Sequence, residues 1–268
     1  MMSTENKKLN RVRDFFDFDS DKYSSERYPD EPKTCEQLSY ITRKGHVLRM
    51  LDRIPNPKGK ILDIGRGPGI YTRDLLLRGW EVWGIDISPK MLERAKESIM
   101  NLPEAPRAHF STGQMEELQF EPSFFDAVLC IGVLPYVGSL EKAVSEVFRV
   151  LKPGGYVLFQ ISNKMAPIRM EGALKRRVKS LLKRKADEED RLRDRFRITH
   201  HNPIQFDRLC RGSGFQLREF RFFDFRVPVI STLSPGLAMT LARCLEALGA
   251  SRYFGLFGSG YLALCEKK

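Results

Sequence analysis

The order of apolar and polar stretches along the chain predicts strands that alternate with helices. Short apolar runs rich in β-branched residues are typical of buried strands, and apolar positions at helical spacing, as along Leu140–Leu151, follow several of them. This alternation predicts an α/β fold built on a mainly parallel sheet. The predicted strands are Ile61–Asp63, Glu81–Ile85, Ala108–Ser111, Asp126–Ile131, Tyr156–Ile161, Gly214–Arg226 and Gly260–Glu266.

The turn after the first predicted strand is rich in glycine. Asp63 ends the strand, and Gly65, Gly67 and Gly69 precede the helix-compatible segment Ile70–Arg78. Glycine is needed where a turn demands positive φ or where a Cβ would strike a ligand. Backbone N–H groups at such a strand-to-helix turn are open toward a nucleotide-like molecule. The spacing D-x-G-x-G-x-G differs from the dinucleotide fingerprint G-x-G-x-x-G and from a P-loop.

A second acidic residue marks the end of the next predicted strand. Asp86 follows Glu81–Ile85, and a carboxylate at a strand tip can accept hydrogen bonds from two neighbouring ribose hydroxyls. Ser88 and Pro89 then provide the N-cap and first residue of a helix. The two strand ends together predict a site for a molecule that contains a ribose.

Four motifs in this order resemble the class I S-adenosylmethionine-dependent methyltransferases. They are the glycine-rich turn, the acid after the second strand, the run Gly113–Met115 after the third, and the LKPGG run before the fifth. The resemblance implies S-adenosylmethionine as cofactor, with S-adenosylhomocysteine as product. It also implies a Rossmann-like seven-stranded sheet of order 3-2-1-4-5-7-6, with the last strand antiparallel and helices on both faces.

The resemblance assigns roles to individual residues around the cofactor. Ile87 is expected to pack on the adenine, and Gln114 stands where the family commonly has an aspartate. Arg66 replaces a small residue or cysteine, so its side chain is expected to grip the cofactor's carboxylate, to enter the substrate site or to face solvent. The expected cofactor-binding residues are Asp63, Gly65, Arg66, Gly67, Gly69, Asp86, Ile87, Gln114, Met115 and Cys130.

Substrate and catalytic candidates lie outside these motifs. Tyr23 and Tyr28 belong to an extension that folds over the cofactor in similar enzymes, and Tyr136 follows the fourth strand beside the expected methyl group. The tyrosines of the extension are equally able to serve packing alone. His200 and His201 are candidate general bases, because an imidazole titrates near neutral pH; the alternative is that they cap the helix that starts at residue 202.

The chain is expected to divide into an extension and one catalytic domain. Residues 1–57 form the N-terminal lid or extension, with a helix that begins at a capping box between Thr34 and Gln37. Residues 58–268 form the methyltransferase domain. Its predicted parts are the cofactor-binding half at 58–162, a basic helical insertion at 163–201 after strand 5, and a substrate-side half at 202–268.

Composition adds charge to this picture. The 268 residues carry a net charge of +11 and five scattered cysteines without C-x-x-C spacing, which indicates reduced thiols, no zinc site and a cytoplasmic location. The basic insertion predicts an amphipathic helix over residues 167–185. Three interpretations stay open for it: a solvated lid helix, peripheral contact with an anionic membrane at its inner face, or nucleic-acid binding.

These features favour a methyltransferase that modifies a small or lipid-like, hydrophobic acceptor, with O-methylation preferred. One alternative is an RNA or other nucleic-acid methyltransferase, although the run Ile131–Tyr136 lacks the Asn/Asp-Pro-Pro-Tyr pattern of enzymes that methylate base amino groups. Nucleic acid is therefore the less favoured partner. The other alternative is a protein that binds S-adenosylmethionine without catalysis.

Overall fold

One mixed sheet organises the part of the chain that the computed structural model describes, namely residues 4–55, 59–169, 198–226, 230 and 234–268. Its strand order is β3-β2-β1-β4-β5-β7-β6, which confirms the order that the resemblance implied. The strands are β1 (Lys60–Ile64), β2 (Glu81–Asp86), β3 (Ala108–Thr112), β4 (Phe125–Cys130), β5 (Leu151–Ser162), β6 (Phe215–Phe223) and β7 (Gly260–Lys267).

The direction of the strands also follows the expectation. Strand β1 pairs in parallel with both β2 and β4, whereas β7 runs antiparallel to β5 and β6. The carboxyl ends of β1, β2 and β4 therefore meet at one edge of the sheet, where the order of the strands reverses. Open α/β sheets bind their ligands at this edge.

Helices cover both faces of the sheet. On one face, Val144 and Phe206 of two helices join a buried cluster with Phe159; on the other, Val47 and Leu75 of two further helices pack on β1. Each such side chain contributes roughly 1.5–3 kcal/mol through burial. The helices are α1 (Thr4–Asp19), α2 (Tyr23–Arg27), α3 (Cys35–Leu51), α4 (Thr72–Leu77), α5 (Pro89–Glu97), α6 (Leu140–Val150), α7 (Pro203–Gly212) and α8 (Pro235–Leu245), and short 3₁₀ helices cover Ala105–Arg107, Glu246–Ala250 and Phe254–Phe257.

The start of β5 differs from the prediction. The LKPGG run ends α6 at Val150 as expected, but it belongs to the strand, which begins at Leu151 rather than at Tyr156. The pairing with β4 shifts register within this run, and Gly154 has a φ of 74°. A bulge of this kind allows a strand to continue through a glycine pair that would otherwise end it.

The N-terminal extension packs against the strand tips. Helix α1 lies on α5, and the Ser88 hydroxyl donates a hydrogen bond to Asp17 at 2.5 Å. The capping box is present, since the Thr34 side chain accepts from the Gln37 amide at 3.1 Å.

Two of the segments discussed above lie partly outside the described residues. The predicted domain boundary at 57/58 is one, and residues 170–185 of the predicted amphipathic helix are the other. Among the helices that the structure does describe, none has the length and apolar character needed to cross a bilayer.

Candidate functional site

The glycine-rich turn is wound tightly between the tips of β1, β2 and β4. Gly65, Gly67 and Gly69 have φ values of 61°, 56° and 88°, which L side chains rarely adopt. The Gly65 amide donates to the Ile85 carbonyl at 2.8 Å, and a Cβ on Gly65 would lie 2.2 Å from a methyl carbon of Val133. The turn therefore requires glycine at this position both for its backbone and for its close packing.

Asp86 ties this turn to the end of β2. One carboxylate oxygen accepts from the Gly67 amide at 2.8 Å and the other from the Ser88 amide at 2.9 Å. Burial raises the pKa of Asp86, and these backbone hydrogen bonds partly oppose that rise. Each carboxylate oxygen has a second acceptor site, so the side chain can still accept hydrogen bonds from a ligand.

A cavity of about 700 Å³, counting its open mouth, lies beside the turn, and we call it the first cavity. The Gln114 amide nitrogen donates to Glu117 at 3.3 Å, which leaves its oxygen as an acceptor. Six of the ten residues expected to bind the cofactor line this cavity: Gly65, Gly67, Asp86, Ile87, Gln114 and Met115.

The other four expected residues do not line the first cavity; they are Asp63, Arg66, Gly69 and Cys130. Cys130 is fully buried, and its thiol donates to the sulfur of Met115 at 3.4 Å. Burial raises the pKa of this thiol. Gly69 belongs to the inner part of the turn, where its amide donates to the Arg66 carbonyl at 3.2 Å.

Asp63 is a buried carboxyl group at the end of β1. Only 2% of its surface is exposed. One of its oxygens has no hydrogen-bond partner among the described residues. Burial raises its pKa to about 7, Arg66 opposes that rise, and Asp86 adds to it.

Arg66 is buried under the turn, away from solvent and from the lining of the first cavity. Its side chain is 3% exposed and does not line the first cavity. The guanidinium donates to the Thr72 hydroxyl at 2.8 Å, and its central carbon lies 3.2 Å from the centre of the Phe110 ring. Burial lowers the pKa of Arg66 to about 10, against the attraction of the two nearby carboxylates.

The N-terminal helices supply part of the wall of the first cavity. Leu9, Val12 and Phe16 of α1 line it together with Tyr23 of α2, and the Phe16 ring meets the Tyr136 ring edge to face at 5.3 Å. Tyr23 and Tyr136, both predicted to bind substrate, line this cavity and the next one. Tyr28 lines neither of them.

A second cavity adjoins the first and is strongly polar. Gln160 and Ser162, which lie at the carboxyl end of β5, line this cavity. Gln160 is 5% exposed, and its side chain faces this cavity. The charged side chains that line the second cavity are Arg27, Arg43, Arg169, Arg226, Glu36 and Asp224.

Arg43 is a residue of this site that the sequence did not reveal. It lies on α3 and lines the second cavity close to Gly132, a residue that lines both cavities. Its guanidinium donates to the Tyr28 hydroxyl at 2.5 Å. Its Nε is buried without a hydrogen-bond partner, and no carboxylate in residues 4–55, 59–169, 198–226 or 234–268 forms an ion pair with it. Nothing in the local sequence of α3 distinguishes this arginine from its solvated neighbours.

The two candidate bases both line a third cavity, and only His200 also lines the second cavity. His200 lines the second cavity, whereas the His201 ring lies 3.3 Å from the Leu134 carbonyl oxygen and does not line that cavity. Burial lowers the pKa of His201. The Asn202 side chain caps helix α7 by accepting from the Ile204 amide at 2.9 Å, so neither histidine is needed as the cap.

Comparisons with known proteins agree with this geometry. Residues 62–159 match the family model described as a methyltransferase domain. The ubiquinone biosynthesis O-methyltransferase of Chromobacterium violaceum is 36% identical over 121 residues, which cover 44% of this chain and 51% of the relative. The demethylmenaquinone methyltransferase of Leptospira interrogans is 36% identical over 118 residues, 43% of this chain and 47% of the relative.

A solved structure shows the same fold over nearly the whole chain. The magnesium protoporphyrin IX methyltransferase of Synechocystis, solved with bound S-adenosylhomocysteine, superimposes with a TM-score of 0.67 at 16% identity, covering 97% of this chain and 100% of that one. The chain spans about half the length of the curated relatives it matches. The residues that match the family model run from β1 to β5 and include the strand ends around the first cavity.

Proposed function

We propose that this chain, which carries a class I methyltransferase domain, transfers a methyl group from S-adenosylmethionine to a small, lipid-like acceptor. The observation that carries the proposal is the first cavity. There the glycine-rich turn and the Asp86 carboxylate meet at the strand edge where such sheets bind their ligands. The bound cofactor supplies an electrophilic methyl group on a sulfonium.

The residues of the first cavity fit the parts of this cofactor. The Asp86 carboxylate has acceptor sites left for ribose hydroxyls, and Ile87 and Met115 offer apolar surface to an adenine ring. The Gln114 oxygen can accept from the adenine amino group. Arg43 fits the cofactor's own carboxylate, because its charge has no carboxylate partner in the described ranges and its Nε is buried without an acceptor.

The second cavity supports an acceptor with a polar head group. Among the described residues, Gln160 brings an amide to the lining, and the four lining arginines outnumber the two lining carboxylates. A polar ligand group that accepts from these arginines forms charge-assisted hydrogen bonds, which favour its binding. A lipid-like acceptor fits if its methylated, hydrogen-bonding end enters between Tyr23 and Tyr136.

O-methylation is the reaction that this arrangement favours. Methyl transfer is an in-line displacement, and a general base is needed when the nucleophile has a proton to lose. His200 is placed for that role because it lines the second cavity, whereas the ring of His201 is directed at a backbone carbonyl. The helices α1 and α2 act as a lid that excludes water from the reaction.

A labelled-methyl assay tests this function. The protein is incubated with S-adenosylmethionine labelled in its methyl group and with quinone and lipid extracts, and Asp86→Ala serves as the inactive control. Label is expected in an organic-phase product with the wild type only. Label that appears in RNA instead would favour the nucleic-acid alternative. Tight binding of S-adenosylhomocysteine without any labelled product would favour the non-catalytic one.

A peripheral contact with anionic lipid at the cytoplasmic face of the membrane is a separate proposal. It depends on the charge of residues 167–185, where basic side chains predominate in the sequence. Co-sedimentation with liposomes tests it. Binding is expected with anionic vesicles and is expected to weaken in high salt, whereas equal binding to neutral vesicles would contradict it.

A further inference from the structure

Three large aromatic side chains are exposed on one short turn before β7. Tyr253, Phe254 and Phe257 are 85%, 58% and 57% exposed, and we call residues 253–257 the aromatic turn. Leu248, on the 3₁₀ helix that packs beside it, is also exposed. Single exposed apolar residues are ordinary on a protein surface, but a contiguous patch of this kind is typical of a contact with a partner.

The backbone of the aromatic turn is anchored to the sheet. A Cβ on Gly255 would lie 2.2 Å from a carbon of the Phe222 ring in β6, so the glycine backbone is seated directly on that ring. The buried Asn163 amide, just after β5, donates to the Leu256 carbonyl at 2.8 Å and to the Gly258 carbonyl at 2.7 Å. The exposed rings are therefore presented from a fixed support.

The aromatic turn adjoins the second cavity. Ser259 and Gly260, which follow the turn, line that cavity, and so does Ser162 at the end of β5. Arg169, another lining residue, donates to the Ser259 carbonyl at 3.2 Å. A partner that covers the aromatic turn would therefore lie next to the cavity in which the acceptor is proposed to bind.

The charges near the turn suit an anionic partner. Arg243 is exposed on α8, and Arg252 directly precedes the turn, where it donates to Asp207. The stretch from α8 to the aromatic turn contains one acid, Glu246. That acid is engaged inside the molecule, since its carboxylate accepts from the Asp224 amide at 2.9 Å.

The sequence becomes strongly basic just after the segment that is bonded to the turn. Seven of residues 175–185 are Lys or Arg, and they follow Arg169 closely along the chain. Aromatic rings beside basic side chains are typical of surfaces that rest on anionic lipid. A second copy of this chain is the less favoured occupant, because it would bring like charges together.

We infer that the aromatic turn inserts into the surface of an anionic lipid bilayer and holds the second cavity beside it. Aromatic rings suit the boundary between head groups and acyl chains, and the basic side chains are attracted to the head groups. The bilayer contact goes beyond the proposed function. Its consequence, that a lipid-like acceptor passes from the bilayer into the second cavity, rests on that function.

Partitioning onto vesicles tests this contact. The full chain is sedimented with vesicles of phosphatidylcholine that contain about one third phosphatidylglycerol. Phe254→Ser/Phe257→Ser is expected to lower the partition coefficient at least about tenfold relative to wild type, and to keep this deficit in high salt, because the missing contact is apolar.

A matched control removes exposed apolar side chains from another part of the surface. Leu77 and Met100 are similarly exposed, and they lie in the connections to β2 and β3, far from β6 in the strand order. Leu77→Ser/Met100→Ser is expected to bind vesicles like the wild type. An equal loss in the control and in Phe254→Ser/Phe257→Ser would overturn the inference.

A fluorescent probe measures insertion without removing a ring. Tyr253→Trp is expected to show emission at shorter wavelength on anionic vesicles and quenching by lipids brominated on their acyl chains. The wild type, with Trp80 buried and Trp83 on β2, is expected to show neither. An unquenched probe would overturn the inference, as would a wild-type dimer in analytical ultracentrifugation that Phe254→Ser/Phe257→Ser converts to a monomer. These measurements use no methyl donor, so their failure leaves the proposed function standing.

Discussion

The pH dependence of stability offers a direct test of the environment of Asp63. The carboxyl is 2% exposed, and its pKa is raised from 3.8 to about 7, mainly by burial. Because the folded state holds this proton more tightly than the unfolded chain, Asp63 makes the protein less stable as the pH rises from about 4 to 7. A shift of this size corresponds to about 4 kcal/mol above pH 7, of which about 3 kcal/mol develops between pH 5 and pH 8.

Asp63→Asn removes the titration while keeping the shape of the side chain. Relative to wild type, this variant is expected to gain about 3 kcal/mol more in free energy of unfolding at pH 8 than at pH 5. Urea denaturation followed by tryptophan fluorescence at both pH values measures the difference, and titrating groups common to the two proteins cancel. Asp30→Asn, at an exposed position, is the matched control. An equal pH dependence in Asp63→Asn and wild type would refute the reasoning.

Three further predictions concern the site itself. Asp86→Asn removes charge-assisted hydrogen bonds and is expected to weaken binding of S-adenosylhomocysteine by about 1.5–3 kcal/mol in calorimetry, with unchanged affinity as the contrary result. Gly84→Ala places a methyl group against Arg66; a loss of about 1–3 kcal/mol in stability is expected in denaturant titrations, and a much smaller loss when Arg66→Met is added. His200→Asn is expected to reduce kcat by about 10²-fold and to remove the acidic limb of its pH profile, while binding of S-adenosylhomocysteine, measured separately, stays within about twofold.

The fold was predictable because its signals are local. Each signal is contained in a short stretch of sequence, as for the strand that ends in Asp63, the acid at Asp86 and the helical spacing of Leu140–Leu151. The resemblance then supplied the strand order, which local patterns alone do not specify. The start of β5 was predicted wrongly because a glycine pair usually interrupts a strand. The register shift between β4 and β5, which lets the strand continue through this pair, cannot be seen in the local sequence.

The residues that line the first cavity were predicted where backbone position alone decides which part of the chain faces the crevice. Gly65, Gly67 and Asp86 lie at strand tips, and strand tips must line the crevice. The position of Arg66 was not predictable, because whether a long side chain in the turn points outward or inward depends on the space that Gly84 and Phe110 leave for it. These residues are distant in the sequence and belong to other strands.

The second cavity could not be predicted from the sequence for a related reason. Its walls come from α3, β5 and the segments next to β6 and β7, so no single stretch of sequence contains it. The sequence favoured a hydrophobic acceptor, whereas the described lining of this cavity is rich in arginine. A polar residue such as Gln160 within an apolar strand was the one available signal, because a buried amide requires a partner.

The central claim is that the crevice beside the glycine-rich turn binds S-adenosylmethionine, and a crystal structure grown with S-adenosylhomocysteine tests it most directly. The account predicts a ligand whose ribose hydroxyls lie within hydrogen-bond distance of the Asp86 carboxylate and whose adenine contacts Ile87 and Met115. An empty first cavity at saturating ligand, or a ligand bound elsewhere on the chain, would contradict it.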